Sequence, residues 1–310
     1  MNNIKFSILI PAYKQKYLYE AVKSCLMQTY ENLELIIVDD ASPENLRAVV
    51  EEFHDSRIKY YRNNSNFGAI NVVDNWNKCL SYAQGDYVIC MGDDDILLPN
   101  CLEEYSKLIK KFSNIGLLHG WTEIINEKSI PTKITCKRCE YESVYSLIWH
   151  RLNVYSYQYI GDFCFKRDLL IKNNGFFKLP LAWGSDDISS FIAASHNGVA
   201  NTQSVVFQYR VNSMTISKSG DANLKMEACV QFFNWLKRFL EKPSSNHSDE
   251  MFRLQILNEL GRHINEKKTF TIMQDLESHK FYRVIYWLMN KRKWKITNKS
   301  ILLAIERAYL

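Results

Sequence analysis

Tyr87-Val88-Ile89-Cys90-Met91-Gly92-Asp93-Asp94-Asp95 reads as an apolar strand that runs into three carboxylates. Mutual repulsion makes such a cluster costly unless a positive charge sits on it. Carboxylates are hard oxygen ligands, and one or two of them plus substrate phosphates commonly hold Mg²⁺ or Mn²⁺. A strand carrying acids out of the core delivers them to the carboxyl edge of a sheet, where open α/β folds bind ligands. Taken alone, the triplet also fits a solvated turn or the start of the helix after Pro99.

Working outward, strand-like and helix-like patterns alternate over the first hundred residues, which predicts a parallel, doubly wound sheet. Phe6 to Ile10 is an apolar run, and Leu33 to Val38 is a second, ending in Asp39 and Asp40. Between them, Leu18, Ala21, Val22, Cys25 and Leu26 keep a helical spacing over Tyr17 to Gln28. Ser42 is expected to open a helix with Pro43 at its first position. Ile58 to Tyr61 reads as a short strand, with helices over Gly68 to Ala83 and Pro99 to Phe112. From Ile115 to Arg210 the pattern is mixed, with a helix beginning near Asp187 and a strand over Val205 to Tyr209. Beyond about Ser219 the chain reads as helical, roughly over 223–242, 249–266 and 279–309, with a linker at Lys242-Pro243-Ser244-Ser245-Asn246.

The 310 residues suffice for one large domain and an appendage, and 46% hydrophobic with 24% charged residues is an ordinary globular balance. A net charge of +5 gives no ground for a nucleic-acid partner. Eight cysteines scattered singly suit buried thiols in a reducing compartment better than a disulfide frame. Cys136 and Cys139 lack a second pair at zinc spacing and read as a surface hairpin. Met1 to Lys5 runs straight into a strand, leaving no room for a signal peptide, and no apolar run nears the ~18–20 residues that span a bilayer. A cytoplasmic protein is the expectation.

Two acid-ended strands, Asp39-Asp40 and Asp93-Asp94-Asp95, would lie close together in such a sheet. They could supply acceptors for a nucleotide's base and ribose and a seat for a metal on its diphosphate. No Gly-x-Gly-x-x-Gly or Walker loop is present to cradle phosphates, so a metal is the remaining device. The order of Ser7-Ile8-Leu9-Ile10-Pro11-Ala12-Tyr13, Gln28-Thr29-Tyr30, Glu34-Leu35-Ile36-Ile37-Val38-Asp39-Asp40-Ala41-Ser42, Asn66-x-Gly68, Gly85-Asp86-Tyr87 and the acid triplet followed by Leu98-Pro99 resembles a family 2 glycosyltransferase of the bacterial surface-polysaccharide type. The resemblance covers residues 5 to about 217. It implies a GT-A fold, an α/β architecture with a Rossmann-like, mostly parallel sheet flanked by helices, followed by a C-terminal helical extension. The catalytic domain would span 1–218, with a nucleotide-sugar half over about 1–112 and an acceptor half over about 113–218, and the helical region 219–310. The implied reaction transfers a sugar from a nucleotide diphosphate with inversion.

Carried over by that resemblance, Pro11, Tyr13 and Asp40 would line the base pocket, Asn66 and Gly68 would shape the loop over the ribose, and Asp93 would meet the ribose. Asp94 and Asp95 would hold Mn²⁺ or Mg²⁺. The family often carries an acid where this chain has Gly92, so the register of its Asp-x-Asp stays open by one residue, with Asp94 favoured as first ligand.

Trp183-Gly184-Ser185-Asp186-Asp187 resembles the family's Glu-Asp motif, with Asp186 replacing Glu. Asp187 would be the general base for the acceptor hydroxyl, Asp186 its catalytic neighbour, and Trp183 and Gly184 a wall of the acceptor site. Capping of the following helix is the competing role for the two acids. Tyr209 to Ser217 resembles the family's closing Tyr-Arg-x-His-x-x-Ser-x-Ser segment, with Asn212 in place of His. Arg210 would neutralise phosphate or form a structural ion pair. No Gln-x-x-Arg-Trp follows Asp187, which favours one sugar per binding event.

Residues 280–299 carry Lys280, Arg283, Lys291, Arg292, Lys293, Lys295 and Lys299 with no acid, interleaved with Trp287 and Trp294. This suits an anionic membrane surface, on the inner face of the cytoplasmic membrane, or else a solvated basic face. The expected partners are a nucleotide-diphosphate sugar, UDP-linked in the first place, and a saccharide or lipid-linked saccharide acceptor. A non-catalytic nucleotide-sugar or glycan-binding protein on the same fold is the alternative, and a nucleotidyltransferase ranks below it because Pro11-Ala12-Tyr13-Lys14-Gln15 has no glycine.

Overall fold

A computed structural model describes residues 4–212, 220–279 and 282–309. It forms two compact units, the first Met1–Lys178 with Ser185–Asn212 and the second Leu179–Gly184 with Ser213–Leu310.

The first unit is built on a ten-stranded sheet. Its strands are β1 (Phe6–Ala12), β2 (Leu33–Asp39), β3 (Ile58–Arg62), β4 (Tyr87–Cys90), β5 (Ile96–Leu97), β6 (Leu117–Ile125), β7 (Pro131–Ile134), β8 (Tyr141–Glu142), β9 (Phe163–Lys166) and β10 (Val199–Arg210). The order is β3-β2-β1-β4-β9-β6-β10-β5, with β7 beside β6 and β8 beside β10. The strands β3, β2, β1 and β4 pair in parallel. β9 enters antiparallel between β4 and β6, so β6 and its parallel neighbour β10 share the direction of β1.

β1 and β2 are apolar on both faces because helices cover both sides, the usual setting of a central parallel strand. Phe6, Ile8, Ile10 and Ala12 pack in one cluster with α1 (Leu18–Leu26), α2 (Leu46–Glu51) and α4 (Cys101–Lys111). The opposite face of β1 and β2 meets α3 (Val72–Tyr82), which turns Val73, Trp76, Cys79 and Leu80 inward.

A charge near the start of β2 interrupts this apolar layer. Glu34 is buried in β2, and its carboxylate accepts from Ser7 Oγ (2.6 Å), the Gln84 backbone N–H (2.7 Å), Lys59 Nζ (2.7 Å) and Lys5 Nζ (3.0 Å). Burial opposes its ionisation, but Lys59, Ser7, Gln84 and Lys5 outweigh it and hold the carboxyl down to about 2. Next to it, a Cβ on Gly85 would sit 2.7 Å from the Lys5 carbonyl oxygen and the Ser7 nitrogen, and Asp86 accepts from the Lys5 backbone N–H at 2.8 Å. The Gly85-Asp86 pair therefore aligns β1 against β4, and with them the two loops that follow these strands.

The helix expected to open at Ser42 starts instead at Leu46, capped by Asn45, whose side chain accepts from the Ala48 N–H at 3.3 Å. Ser42 is engaged elsewhere: its hydroxyl donates to the Tyr13 carbonyl (2.6 Å) and its backbone N–H to Asp39 (2.7 Å). Cys136 and Cys139 are exposed between β7 and β8.

The second unit carries the helices α8 (Ala222–Phe239), α9 (His247–His279), α10 (Tyr282–Trp294) and α11 (Asn298–Tyr309). Its core gathers Ala222, Met226, Ile272, Leu276, Trp287, Ile301 and Ala304. The single helix expected over 279–309 is broken after Trp294. Lys295 adopts a left-handed φ of 51°, and Thr297 Oγ1 accepts from the Ser300 N–H at 3.0 Å to start the next helix. No helix among the described residues is long and apolar enough to cross a membrane.

Candidate active site

The loop after β1 is tied to the acids after β4. Asp93 Oδ2 accepts from the backbone N–H groups of Tyr13 and Lys14, each at 2.7 Å. Tyr13 is 41% exposed, so its ring is not part of the core, and Pro11 beside it is half-buried. Burial and the neighbouring Asp94 push the Asp93 carboxyl up to about 6, against the pull of the Lys14 and Tyr13 N–H groups.

At the end of β2 the two aspartates divide their work. Asp39 points inward, accepting from Tyr60 Oη (2.6 Å), the Ser42 N–H (2.7 Å) and Arg62. Asp40 fastens the loop after β3, accepting from Asn63 Nδ2 (2.9 Å) and the backbone N–H groups of Phe67 (3.0 Å) and Gly68 (3.3 Å). Gly68 has φ of 72°, the left-handed region that glycine enters at little cost, and its N–H also donates to Asn66 Oδ1. Asn66 and Gly68 thus shape a turn that wraps Asp40.

Asp94 and Asp95 converge beside Gly92. A Cβ built on Gly92 would lie 2.7 Å from Asp94 Oδ1 and 3.0 Å from Asp95 Oδ2. Their other oxygens are anchored: Asn212 Nδ2 donates to Asp94 Oδ2 (2.5 Å), and the Arg210 backbone N–H donates to Asp95 Oδ1 (2.9 Å). Burial raises both carboxyls, Asp95 well above the usual range with the charge of Asp94 adding to it. Two carboxylates pressed together in this way are relieved by a proton or a cation. Among the described residues no group of three or more His, Cys, Asp and Glu side chains is disposed to hold a metal ion. Two carboxylate oxygens would be the protein's share of any cation held here, a donor set that suits Mg²⁺ or Mn²⁺ completed by substrate phosphates and water.

Arg210, expected either at phosphate or in an ion pair, spends its guanidinium on the protein. It donates to the Asp94 carbonyl (2.7 Å), the Asn126 carbonyl (3.2 Å), Ser129 Oγ (2.9 Å) and Glu20 (2.8 Å), and lies 4.2 Å from the Tyr17 ring centroid. It braces the strand end beneath the acid pair. Ser213 to Ser217 of the closing motif lie outside the described residues.

The same unit carries the short helices α5 (Val144–Leu152), α6 (Arg167–Lys172) and α7 (Ser185–Ala194), and Asp186 and Asp187 sit in the first turn of α7, where carboxylates complement the helix N-terminus. Asp187 is 3% exposed. Its Oδ1 accepts from Arg151 Nε (2.7 Å) and Gln158 Nε2 (2.8 Å), and its Oδ2 from Arg151 Nη2 (3.3 Å), a two-pronged clamp. Burial works against the Arg151 charge, but Asp187 and then Asp186 overcome it and raise the guanidinium further. Gln158 is oriented in turn, because its Oε1 accepts from buried Arg138 at 3.3 Å. No motif in the sequence marks Arg151, Gln158 or Arg138.

A stacked pair of tyrosines links the two acidic elements, because Tyr159 follows Gln158, which holds Asp187, and Tyr209 precedes Arg210, which holds Asp95. The Tyr159 and Tyr209 rings are 3.7 Å apart and 12° from parallel. Burial pushes the Tyr209 phenol up, and Asp95, Asp94 and Asp186 all add to it. Tyr159 is likewise raised by burial, with Asp162 and Asp95 adding to it. Asp95 acts on both rings, and Asp186 on one of them.

Trp183 and Gly184 belong to the second unit. Gly184 has φ of 96°, and a Cβ there would meet Phe232 at 3.1 Å. The Trp183 indole stacks on Phe270 at 6.3 Å, with the ammonium groups of Lys225 and Lys267 4.9 and 5.1 Å from its centroid.

The Glycosyl transferase family 2 profile matches residues 7–169, more than half of the chain. The chain belongs to glycosyltransferase family 2. Among curated relatives, it is 39% identical over 142 residues to the UDP-Glc:alpha-D-GlcNAc-diphosphoundecaprenol beta-1,3-glucosyltransferase WfgD of Escherichia coli, covering 44% of this chain and 54% of that protein. It is 40% identical over 107 residues to the putative colanic acid biosynthesis glycosyl transferase WcaA of Escherichia coli K12, covering 34% and 37%. The chain thus spans about half or less of these relatives. Among solved structures, S. aureus TarS 1–349 in complex with UDP-GlcNAc superposes with a TM-score of 0.67 at 16% identity, over 98% of this chain and 90% of that one. The mannosyltransferase PcManGT from Pyrobaculum calidifontis, in complex with GDP-Man and Mn²⁺, gives 0.55 at 15%, over 99% and 88%. The expected GT-A architecture is the one observed, with helices following it.

Proposed function

We propose that this family 2 glycosyltransferase moves one sugar from a nucleotide-diphosphate donor, UDP-linked in the first place, to a glycan or lipid-linked saccharide acceptor, with inversion. The observation that carries this reading is a chain of contacts within one compact unit: Gln158 donates to Asp187, its neighbour Tyr159 stacks on Tyr209, and the next residue, Arg210, donates its backbone N–H to Asp95. The UDP-GlcNAc complex of TarS and the UDP-Glc donor and diphosphoundecaprenol-linked acceptor in the name of WfgD support the donor and acceptor classes.

In this reading Tyr13 stacks on the base beside Pro11, Asp40 accepts a base N–H, Asn66 and Gly68 keep the ribose loop in shape, and Asp93 meets the ribose. Asp94 and Asp95 would hold Mn²⁺ or Mg²⁺, whose charge would offset that of the departing diphosphate. Asp187 takes the acceptor hydroxyl proton as the new bond to the anomeric carbon forms and the bond to the diphosphate breaks on the opposite face. A carboxylate suffices, because the hydroxyl becomes acidic only as that bond forms. Arg151 and Gln158 hold Asp187 fixed in orientation, and Asp186 stands beside it at the helix start.

The test compares Asp187→Asn with the parent chain on a panel of nucleotide sugars in Mn²⁺. Transfer should fall by roughly 10²–10⁴-fold, the usual contribution of a general base, while nucleotide affinity stays within about twofold. Unchanged turnover would remove Asp187 from its role.

A further inference from the structure

The basic stretch over 280–299 divides in the structure into a part built into the fold and a part turned to solvent. Trp287 is fully buried and donates to Asp275 at 2.7 Å, and Arg283 pairs with the same carboxylate at 2.7 Å. Neither is available to a partner. Over the first two turns of α10 what remains exposed is aliphatic and aromatic: Tyr282 (63%), Ile285 (59%), Leu288 (45%) and Met289 (79%). At 3.6 residues per turn, these positions fall on one side of the helix, opposite buried Val284 and Trp287. The same side continues into exposed Arg292 and Lys293, and exposed Lys295 and Lys299 follow. From Ser278 to Ile305 the chain has no acid at all.

We propose that this face of α10 docks on an anionic phospholipid bilayer. An apolar stripe with cations at its end is the pattern of a helix lying in the membrane interface, its aliphatic side chains among the acyl chains and its lysines and arginine at the headgroups. The charge pattern selects that occupant, because four exposed cations without a neighbouring acid in sequence complement a negative surface and gain nothing from a neutral one. Ile285 and Met289 supply insertion, and Arg292, Lys293, Lys295 and Lys299 supply the preference for negative charge. The inference stands apart from the reaction, since binding is read with no sugar donor present.

The experiment is co-sedimentation of the full chain with vesicles of phosphatidylcholine alone or with 30 mol% phosphatidylglycerol, a composition chosen here as roughly that of a negative leaflet. Binding to the anionic vesicles should exceed that to neutral ones on the order of a hundredfold at low salt and weaken steeply at 0.5 M NaCl, a concentration at which screening is about complete within ~4–5 Å. Ile285→Ser with Met289→Ser should lose at least tenfold in binding. Because both side chains are exposed, the melting temperature should hold, and donor hydrolysis in solution should match the parent chain. A charge variant, Arg292→Gln with Lys293→Gln, should lose the preference for phosphatidylglycerol. Equal binding to both vesicle types, binding to neither, or double-serine binding equal to that of the parent would each overturn the proposal.

Discussion

Gly92→Ala is the substitution that most directly tests the acid pair. The backbone at Gly92 lies outside the left-handed region, so alanine is tolerated by φ and ψ, and the whole effect falls on the neighbouring side chains. The new methyl would stand 2.7 Å from Asp94 Oδ1, where ordinary contact begins at 3.4 Å, so the carboxylate must retreat by roughly 0.7 Å. It cannot retreat freely, because its other oxygen is held by Asn212 at 2.5 Å and Asp95 is held by the Arg210 N–H at 2.9 Å. Forcing a methyl into a packed site costs about 1–3 kcal/mol, which corresponds to roughly 5- to 150-fold in affinity. Calorimetric titration of UDP should therefore show a Kd raised by about that factor in Mn²⁺ and hardly changed in EDTA, while the same packing cost lowers the melting temperature by several degrees. Asp94→Ala should lose the Mn²⁺ effect altogether. If Gly92→Ala bound UDP in Mn²⁺ as tightly as the parent chain, the convergence of Asp94 and Asp95 on one cation would be refuted.

Two further outcomes follow from buried charges in the same unit. The Glu34 carboxyl is held at about 2 when folded against an ordinary 4.5, so its contribution to stability is complete above pH 4.5 and fades as pH falls toward 2. With Lys5 and Lys59 about a third exposed, the shift is discounted to roughly 2 kcal/mol. Glu34→Gln should lose that much in urea unfolding at pH 7, and the gap to the parent should narrow by pH 3.5; a gap that widens would contradict the sign. Arg151→Gln leaves buried Asp187 without its cation, and should cost about 3 kcal/mol in unfolding and at least tenfold in turnover. Arg151→Lys should recover stability more than rate, because an ammonium restores charge but not the fork. Full activity in Arg151→Gln would show that the clamp is not needed.

The strands and the acids at their ends were legible for a physical reason. Central parallel strands are buried on both faces, so β1 and β2 appear in the sequence as mostly apolar runs, broken only by Ser7 and Glu34, and the carboxylates just beyond them stand out. Asp40, Asp93, Asp94 and Asp95 were visible in this way. Asp187 stands out through the resemblance of Trp183 to Asp187 to the family's Glu-Asp motif, whereas two acids before an apolar helical pattern by themselves mark only a helix start. Serine before proline is a good cap by local rules, so a helix is expected at Ser42, but the Ser42 hydroxyl is taken by the Tyr13 carbonyl 29 residues away. Local preference lost to a long-range hydrogen bond.

The clamp on Asp187 could not have been read from sequence. Arg151 lies at the end of a short helix with an ordinary basic last turn, and Gln158 lies in an irregular segment with no periodicity. They reach Asp187 across 36 and 29 positions, through a packing that no local pattern encodes. The same limit explains the basic stretch near the carboxyl terminus. By spacing alone Arg283 and Trp287 look like Arg292 and Met289, but Asp275, on the preceding helix, accepts from both and draws them into the core. A single buried carboxylate thus sorts one run of cations and aromatics into two classes, those that hold the helices together and those left facing outward. Asp275→Asn is therefore the complementary perturbation. It should weaken the helical unit by about 1–3 kcal/mol, the size of a lost charged hydrogen bond. It should leave vesicle binding through Ile285 and Met289 intact while the unit stays folded. Loss of both together, below the melting temperature, would mean that the two faces of α10 are not independent.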